Sequence, residues 1–419
     1  MTIKLTGPLT LTALLMTTGA MAQDAVTLNV WSDTPRLDGF AAYDASHDTV
    51  TLNVTTVAPA DLVTKIQLAM QAGSDIPDVI FMGDIGFTSQ LSTRRSNYMM
   101  DLTGSVPKTL VDEFYQNSNA PCLVNGKLMC LRNDMAHMIT WYNQPKLAEL
   151  GFSPPTTWEE FAALGAELGP QGYVIGSGVE PTPLLSFLVS GGCPVAIPVA
   201  GKEDTLQIDL TGEACTKAAR MVDGMIANGS LAKVGPFDPA FVELAKSGKV
   251  PLIIGPTWFG EYVIKPTYEW APGLLAAAIP PRWEAQEQPL TWSWGGGTFG
   301  GWKDTAHPEA VVDLVTWMAS DVANQTVAVT LPAHAPSAVA WGANLNADGY
   351  YANNDVFQVQ VDAAAYSHPG YMSIRIDVSG AIAKTLVTAV AAGQTIESAL
   401  PALQQELVNL AGLNGYAVE

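Results

Sequence analysis

Two early segments, Val26-Thr-Leu-Asn-Val-Trp31 and Val50-Thr-Leu-Asn-Val-Thr55, alternate apolar and polar residues at every step, the pattern of strands with one buried face. Between them and the next apolar run the period lengthens. Leu62, Ile66, Ala69 and Met70 fall on one helical face, and Gly73 supplies the stop. Asp78-Val-Ile-Phe-Met82 then reads as a strand buried on both faces. Strand, helix and strand in this order predict a parallel α/β sheet. Thr157 with Glu160 three residues on forms a capping box ahead of Phe161, Leu164 and Leu168, with Gly169-Pro170 as terminator. Further helices are expected over residues 211–225, 308–319 and 382–392, and apolar strands over 250–254 and 274–279. About 400 residues without an internal repeat or low-complexity linker suggest two or three domains, and if two, the chain passes between them by short ordered crossings.

The first 22 residues precede this pattern and follow another rule. A lone cation, Lys4, an apolar run from Leu9 to Met16, and Ala20-Met21-Ala22 make the layout of a cleavable export signal, with cleavage expected after Ala22. No cysteine lies near that point, so a freely diffusing periplasmic product without a lipid anchor is expected. The chain carries 20 Lys and Arg against 40 Asp and Glu, a formal charge of −20, and losing Lys4 makes it one more negative. Nucleic acid and anionic lipid surfaces repel such a protein. Only 14% of residues are charged while 48% are apolar, which predicts a well-cored globular protein.

An oxidising compartment makes disulfides the default state of Cys122, Cys130, Cys193 and Cys215. Cys122 and Cys130 flank Asn125-Gly126, a strong hairpin-turn dipeptide that brings the two strands face to face, leaving Cys193 and Cys215 as the second pair. No C-x-x-C is present to support a zinc site.

Several segments, in order along the chain, resemble the extracellular solute-binding proteins of sugar ABC transporters, the group that contains maltose-binding protein. They are Ala72-Gly-Ser-Asp-Ile-Pro-Asp78, Asn125-Gly-Lys-Leu, Trp141-Tyr-Asn-Gln-Pro-Lys-Leu-Ala-Glu-Leu-Gly151 and Pro155-Thr-Thr-Trp158-Glu-Glu-Phe161. Lys246-Ser-Gly-Lys-Val-Pro-Leu-Ile-Ile-Gly255 with Trp258, and Trp294-Gly-Gly-Gly297 through His307-Pro308-Glu-Ala310, continue the resemblance. Gln144, where Lys is usual, and the cysteine pairs depart from it. The resemblance implies the type II periplasmic binding protein fold, two α/β lobes closing over a ligand by hinge motion. Crossings are then expected near residues 133–135, 287–292 and 332–336. The lobes become 23–133 plus 290–334, and 134–289 plus 335–419.

For function, the resemblance implies a non-catalytic monomer that needs no cofactor, captures a small carbohydrate and delivers it to permease subunits of an ABC importer. Sugar hydroxyls suit charged partners and their C–H faces suit aromatic rings. Trp258, Trp292 and Trp294 stand where the family places cleft residues, and Gly295 opens backbone that lets a ligand or the other lobe approach. Asp33 and Asp84 follow apolar strands, at the ends where open parallel sheets bind ligands. Glu180 of Glu180-Pro-Thr182 matches a cleft-lining position by motif order. Tyr371 and Arg375 lie where the family returns side chains to the cleft, although Asp377 or another carboxylate offers Arg375 an internal partner.

Other readings have less support. Gly295-x-Gly297-x-x-Gly300 fits a dinucleotide pattern as a string but is not followed by a helix start. The histidines at 47, 137, 307, 334 and 368 are scattered, and no nucleophile elbow, metal-binding helix or phosphate loop occurs. A secreted glycosidase would need two facing carboxylates. A binder of a polyol, or of ferric ion through Tyr350-Tyr351, is the alternative solute class.

Overall fold

The computed structural model describes residues 26–93, 96–115, 117–202, 204–368 and 374–419. The expected leader and Tyr371 lie outside them. Eight strands build the two principal sheets: β1 (Val26–Ser32), β2 (Val50–Thr56), β3 (Val79–Met82), β4 (Leu131–Arg132), β5 (Met138–Asn143), β6 (Leu252–Pro256), β7 (Leu275–Ala278) and β8 (Thr298–Gly301). The first sheet has the order β2-β1-β3-β8-β4. Strands β1, β2 and β3 run parallel, as the strand–helix–strand reading requires, whereas β8 is antiparallel to both neighbours. The helix Leu62–Ala72 crosses from β2 to β3 and ends on Gly73, whose φ of 67° only glycine adopts cheaply. Strand β3 sits at the centre of the sheet, with Val79 through Met82 all buried, which is why its sequence does not alternate.

The second sheet, β6-β5-β7, is antiparallel throughout. Period-two alternation divides its faces between two apolar clusters. Ile139, Trp141, Ile253, Leu275 and Ala277 join the core that continues into the first sheet. Met138, Leu252 and Ile254 face a second core with Trp158, Phe161, Leu188, Val222 and Leu403. The cores therefore do not divide where the chain crosses between sheets.

The helix Trp158–Leu168 carries the expected capping box: Thr157 Oγ1 accepts from Glu160 N at 3.1 Å, and Glu160 Oε2 accepts from Thr157 N at 3.2 Å. Thr157→Ala is expected to cost about 1 kcal/mol of unfolding free energy, measurable by urea titration.

Both cysteine pairs form as read, with Cα separations of 4.9 Å for Cys122–Cys130 and 4.7 Å for Cys193–Cys215. The first staples the hairpin of Leu123–Val124 and Lys127–Leu128, whose turn residues Asn125 and Gly126 have φ of 52° and 74°. The region expected as one helix over 382–392 starts earlier, at Val378, and is widened by a π turn over Ala383–Val387. The longest helix among the described residues, Ile396–Leu413, has no counterpart in the sequence reading and carries Pro401 inside it.

Three segments between the sheets lie side by side. Residues 133–135 lead from β4 to β5, residues 291–297 lead from β7 to β8, and residues 331–334 enter the helix Ala335–Ala347. Backbone bonds tie them: Asn133 N to Gly297 O, Met135 N to Leu331 O, Ala333 N to Asn133 O, and Trp294 N to Ala136 O, all within 3.0 Å.

Candidate ligand cleft

Because β1, β2 and β3 are parallel, the loops that follow them gather at one end of the sheet, beside the triple crossing. A cleft of about 500 Å3 opens there. Residues 33–36 after β1, Thr56 at the end of β2 with 57–59 after it, and Phe81 with Gly83 at the end of β3 form one part of its lining. Asp134, Trp294, Gly295, Gly296 and Gly297 come from the crossings, and Trp258, Tyr262, Val329 and Thr330 line the rest. Crevices at parallel-strand C-termini are the usual ligand sites of α/β sheets.

The charged groups of the lining are connected. Arg36 reaches Asp33 Oδ2 with Nη1 at 3.1 Å and Asp134 Oδ1 with Nη2 at 3.3 Å, while its Cζ lies 4.2 Å from the Phe81 ring centroid. Asp134 Oδ1 also accepts from Asn133 Nδ2 at 2.8 Å and Gly297 N at 2.9 Å. Asp33 Oδ1 is enclosed and has no hydrogen-bond partner among the described residues. Burial pushes the Asp33 carboxyl above the usual carboxylate range; Arg36 opposes that and Asp134 adds to it. Glycine is required along this floor. A side chain at Gly296, where φ is 91°, would run into the Arg132 guanidinium, and one at Gly297 into the Phe81 ring.

The aromatic part is built around a strand end. Trp258 follows β6 by two residues, and its Nε1 donates to Trp294 O at 2.8 Å, which fixes the ring. Tyr262 lies one helical turn on, with centroids 6.0 Å apart. Trp294 meets Trp258 at 5.7 Å and 66°. Phe237, 48% exposed, lies 6.2 Å from Trp258 with ring planes 14° apart. At that separation near-parallel rings are offset, so the two faces adjoin as a stepped surface.

The structure thus brings together Asp33, Trp258, Trp294 and Gly295 of the residues singled out from sequence. Asp84 adjoins the lining residue Gly83. Its Oδ1 accepts from Gly86 N at 2.8 Å, and burial, with Asp377 as a lesser contributor, raises its pKa. Glu180 precedes the helix Pro181–Ser190 and packs against Gly235, in the loop that carries Phe237; burial raises its pKa too.

Two of the expected residues lie outside this lining. Trp292 does not line this cleft: it borders a separate crevice of about 10 Å3 with Trp158, Ser186 and Ile254, because its backbone pairs with Met138 in the crossing and turns the ring toward the second core. Arg375 binds Asp204 at 2.5 Å and stacks on Tyr416 at 4.2 Å, so its charge is already satisfied internally. The tyrosine pair is likewise engaged. Tyr350 donates to Trp270 O at 2.7 Å and Tyr351 to Glu261 Oε1 at 2.8 Å. No group of three or more His, Cys, Asp or Glu suited to a metal occurs among the described residues.

Sequence reasoning missed Arg36, Asp134, Tyr262 and Phe237. Arg36 three residues after Asp33, and Tyr262 four after Trp258, carried a spacing signal. Asp134 carried none, since its role comes from the packing of the crossings.

The family model of the bacterial extracellular solute-binding proteins matches residues 34–325. Solved structures agree over nearly the whole chain. The galacto-N-biose-/lacto-N-biose I-binding protein of an ABC transporter from Bifidobacterium longum, solved with lacto-N-biose, has a TM-score of 0.77 at 17% identity, covering 94% of this chain and 99% of its own. An ABC transporter associated binding protein from B. animalis subsp. lactis, solved with β-1,6-galactobiose, gives 0.77 at 18%, covering 94% and 100%. The sugar-binding protein MalE from Xanthomonas citri gives 0.71 at 18%, covering 93% and 98%. No curated protein sequence matches significantly. The likeness establishes the two-lobed α/β fold.

Proposed function

The chain belongs to the bacterial extracellular solute-binding proteins, and on that footing we propose that it captures a small carbohydrate and presents it to the permease of an ABC importer. The observation that carries this reading is the meeting, in one cleft, of the Trp258 and Trp294 rings with the Asp33, Arg36 and Asp134 charges. Aromatic faces take the C–H surface of a pyranose while carboxylates and a guanidinium take its hydroxyls. The proposed lobes are residues 23–133 plus 290–334, and 134–289 plus 335–419, hinged where residues 133–135, 291–297 and 331–334 pair. Asp33, Trp258, Trp294 and Gly295, with Arg36 and Asp134, are the proposed contacts; Asp84 and Glu180 stand at the margin. The protein acts as a monomer in the periplasm after loss of residues 1–22, without catalysis or cofactor. Among the described residues no helix is long and apolar enough to cross a membrane.

The test is a thermal-shift and tryptophan-fluorescence titration of the mature protein with maltose, lacto-N-biose, β-1,6-galactobiose, a polyol and ferric ion. A saccharide at a hundred times its dissociation constant should stabilise the fold by about 2.7 kcal/mol and change the emission of Trp258. A response to ferric ion or the polyol alone would replace the carbohydrate reading.

A further inference from the structure

The charges of the cleft carry the inference further, into which carbohydrates it accepts; this rests on the carbohydrate reading. Among its lining residues three are charged: Asp33, Arg36 and Asp134, two carboxylates about one guanidinium. Arg36 is held on three sides. Its terminal nitrogens meet Asp33 and Asp134 and its plane lies over Phe81. The side chains of Arg36 and Asp33 are each 15% exposed and that of Asp134 only 2%. Behind the lining, Arg132 donates Nε to Asp134 O at 2.6 Å, and its charge interacts first with Asp134 and then with Asp84, so that with both included three carboxylates face two guanidinium groups. The site therefore keeps an excess of negative charge, within a chain whose formal charge is −20.

We propose that the triad Asp33–Arg36–Asp134 makes the cleft selective for uncharged or amino-bearing saccharides and closes it to uronates and sugar phosphates. A ligand carboxylate must reach Arg36 to be neutralised. To do so it must displace Asp33 or Asp134, leaving that buried carboxylate without its counter-charge, which costs more than the new contact returns. A hydroxyl or ammonium donor faces no such exchange, because it can add to a carboxylate that keeps its bond to Arg36. Arg36 is thus a neutralised donor fork and not an anion receptor. The overall charge adds a kinetic barrier, since anions approach an acidic protein more slowly.

The test is calorimetric titration of the full mature protein with two matched sets: neutral disaccharides (maltose, lacto-N-biose, β-1,6-galactobiose) and disaccharides ending in a uronate, digalacturonate among them. The best neutral sugar should bind at least tenfold tighter than any uronate. Two variants then shift the balance. Asp33→Asn removes one charge while keeping an oxygen for Arg36, and Thr34→Lys adds a cation at an exposed position of the same lining. Each should narrow the gap severalfold, and Thr34→Lys keeps the test decisive should Asp33→Asn fold poorly. A uronate bound by the unaltered protein as tightly as its neutral counterpart would overturn the selectivity and leave the carbohydrate reading standing. Binding of neither set would overturn both.

Discussion

Replacing Trp258 by Ala should weaken saccharide binding about thirtyfold, roughly 2 kcal/mol, the loss typical of a desolvated aromatic anchor. The argument is positional and then geometric. Trp258 follows β6 at the end that faces the crossings, so its ring is carried out of the sheet and into the cleft lining. The bond from its Nε1 to Trp294 O leaves it one orientation, so a ligand need not freeze a rotamer to stack on it. Its cost to the unliganded fold should be smaller than that of Trp141→Ala. Trp141 is fully buried in the second sheet, with its Nε1 on Pro256 O at 2.9 Å, and its removal should cost about 3–5 kcal/mol. Calorimetric titration for affinity and urea unfolding for stability separate the two tryptophans. Intact affinity with a stability loss like that of Trp141→Ala would make Trp258 a core residue and move the ligand elsewhere.

Why Trp258 was legible and Trp292 misleading follows from what each position depends on. Trp258 is fixed locally, by an apolar strand that ends at Gly255-Pro256, and strand ends can be read from alternation and breakers. Trp292 belongs to a crossing, and which way its ring points depends on Met138, 154 positions earlier, accepting its partner role through the Met138 N to Trp292 O bond. No local pattern encodes that choice. The same division runs through the fold. Strands β1 to β3, the Gly73 stop and the Thr157–Glu160 cap are local and were all readable. The antiparallel arrangement of β6, β5 and β7 depends on long-range pairing, and their short apolar runs look the same in either direction. Arg375 shows the ambiguity of a cation in an apolar setting. A partner was rightly expected, but Asp204, reached across 171 positions, supplies it. In the cleft, the Asp33-x-x-Arg36 spacing was visible while Asp134 was not, although only the three together define the charge of the site.

Of the two cross-links, the one that closes the longer loop should contribute more to stability. Cys193 and Cys215 are 22 positions apart, and in the chain-entropy account closing such a loop stabilises the folded state by roughly 3 kcal/mol. Cys122 and Cys130, eight apart, should contribute somewhat less, because a shorter loop removes fewer conformations from the unfolded chain. Each loop also holds a hairpin of its own, turned at Asn125-Gly126 in the shorter one and formed by Ile197–Pro198 against Thr205–Gln207 in the longer, so loop length and not local turns separates the two. Cys193 follows the helix Pro181–Ser190 and Cys215 lies in the first turn of Glu213–Ala227, both fully buried against Leu188, Val195 and Val222. Alanine is the suitable replacement, since a serine hydroxyl in that apolar setting would add a desolvation cost of its own. Urea unfolding of Cys193→Ala/Cys215→Ala should lose about 3 kcal/mol and exceed the loss in Cys122→Ala/Cys130→Ala. Neither pair contributes to the cleft lining, so saccharide affinity should stay within about twofold of the unaltered protein. An unfolding midpoint unchanged by the first double substitution would mean that the buried helix contacts, and not the cross-link, hold this part of the second core.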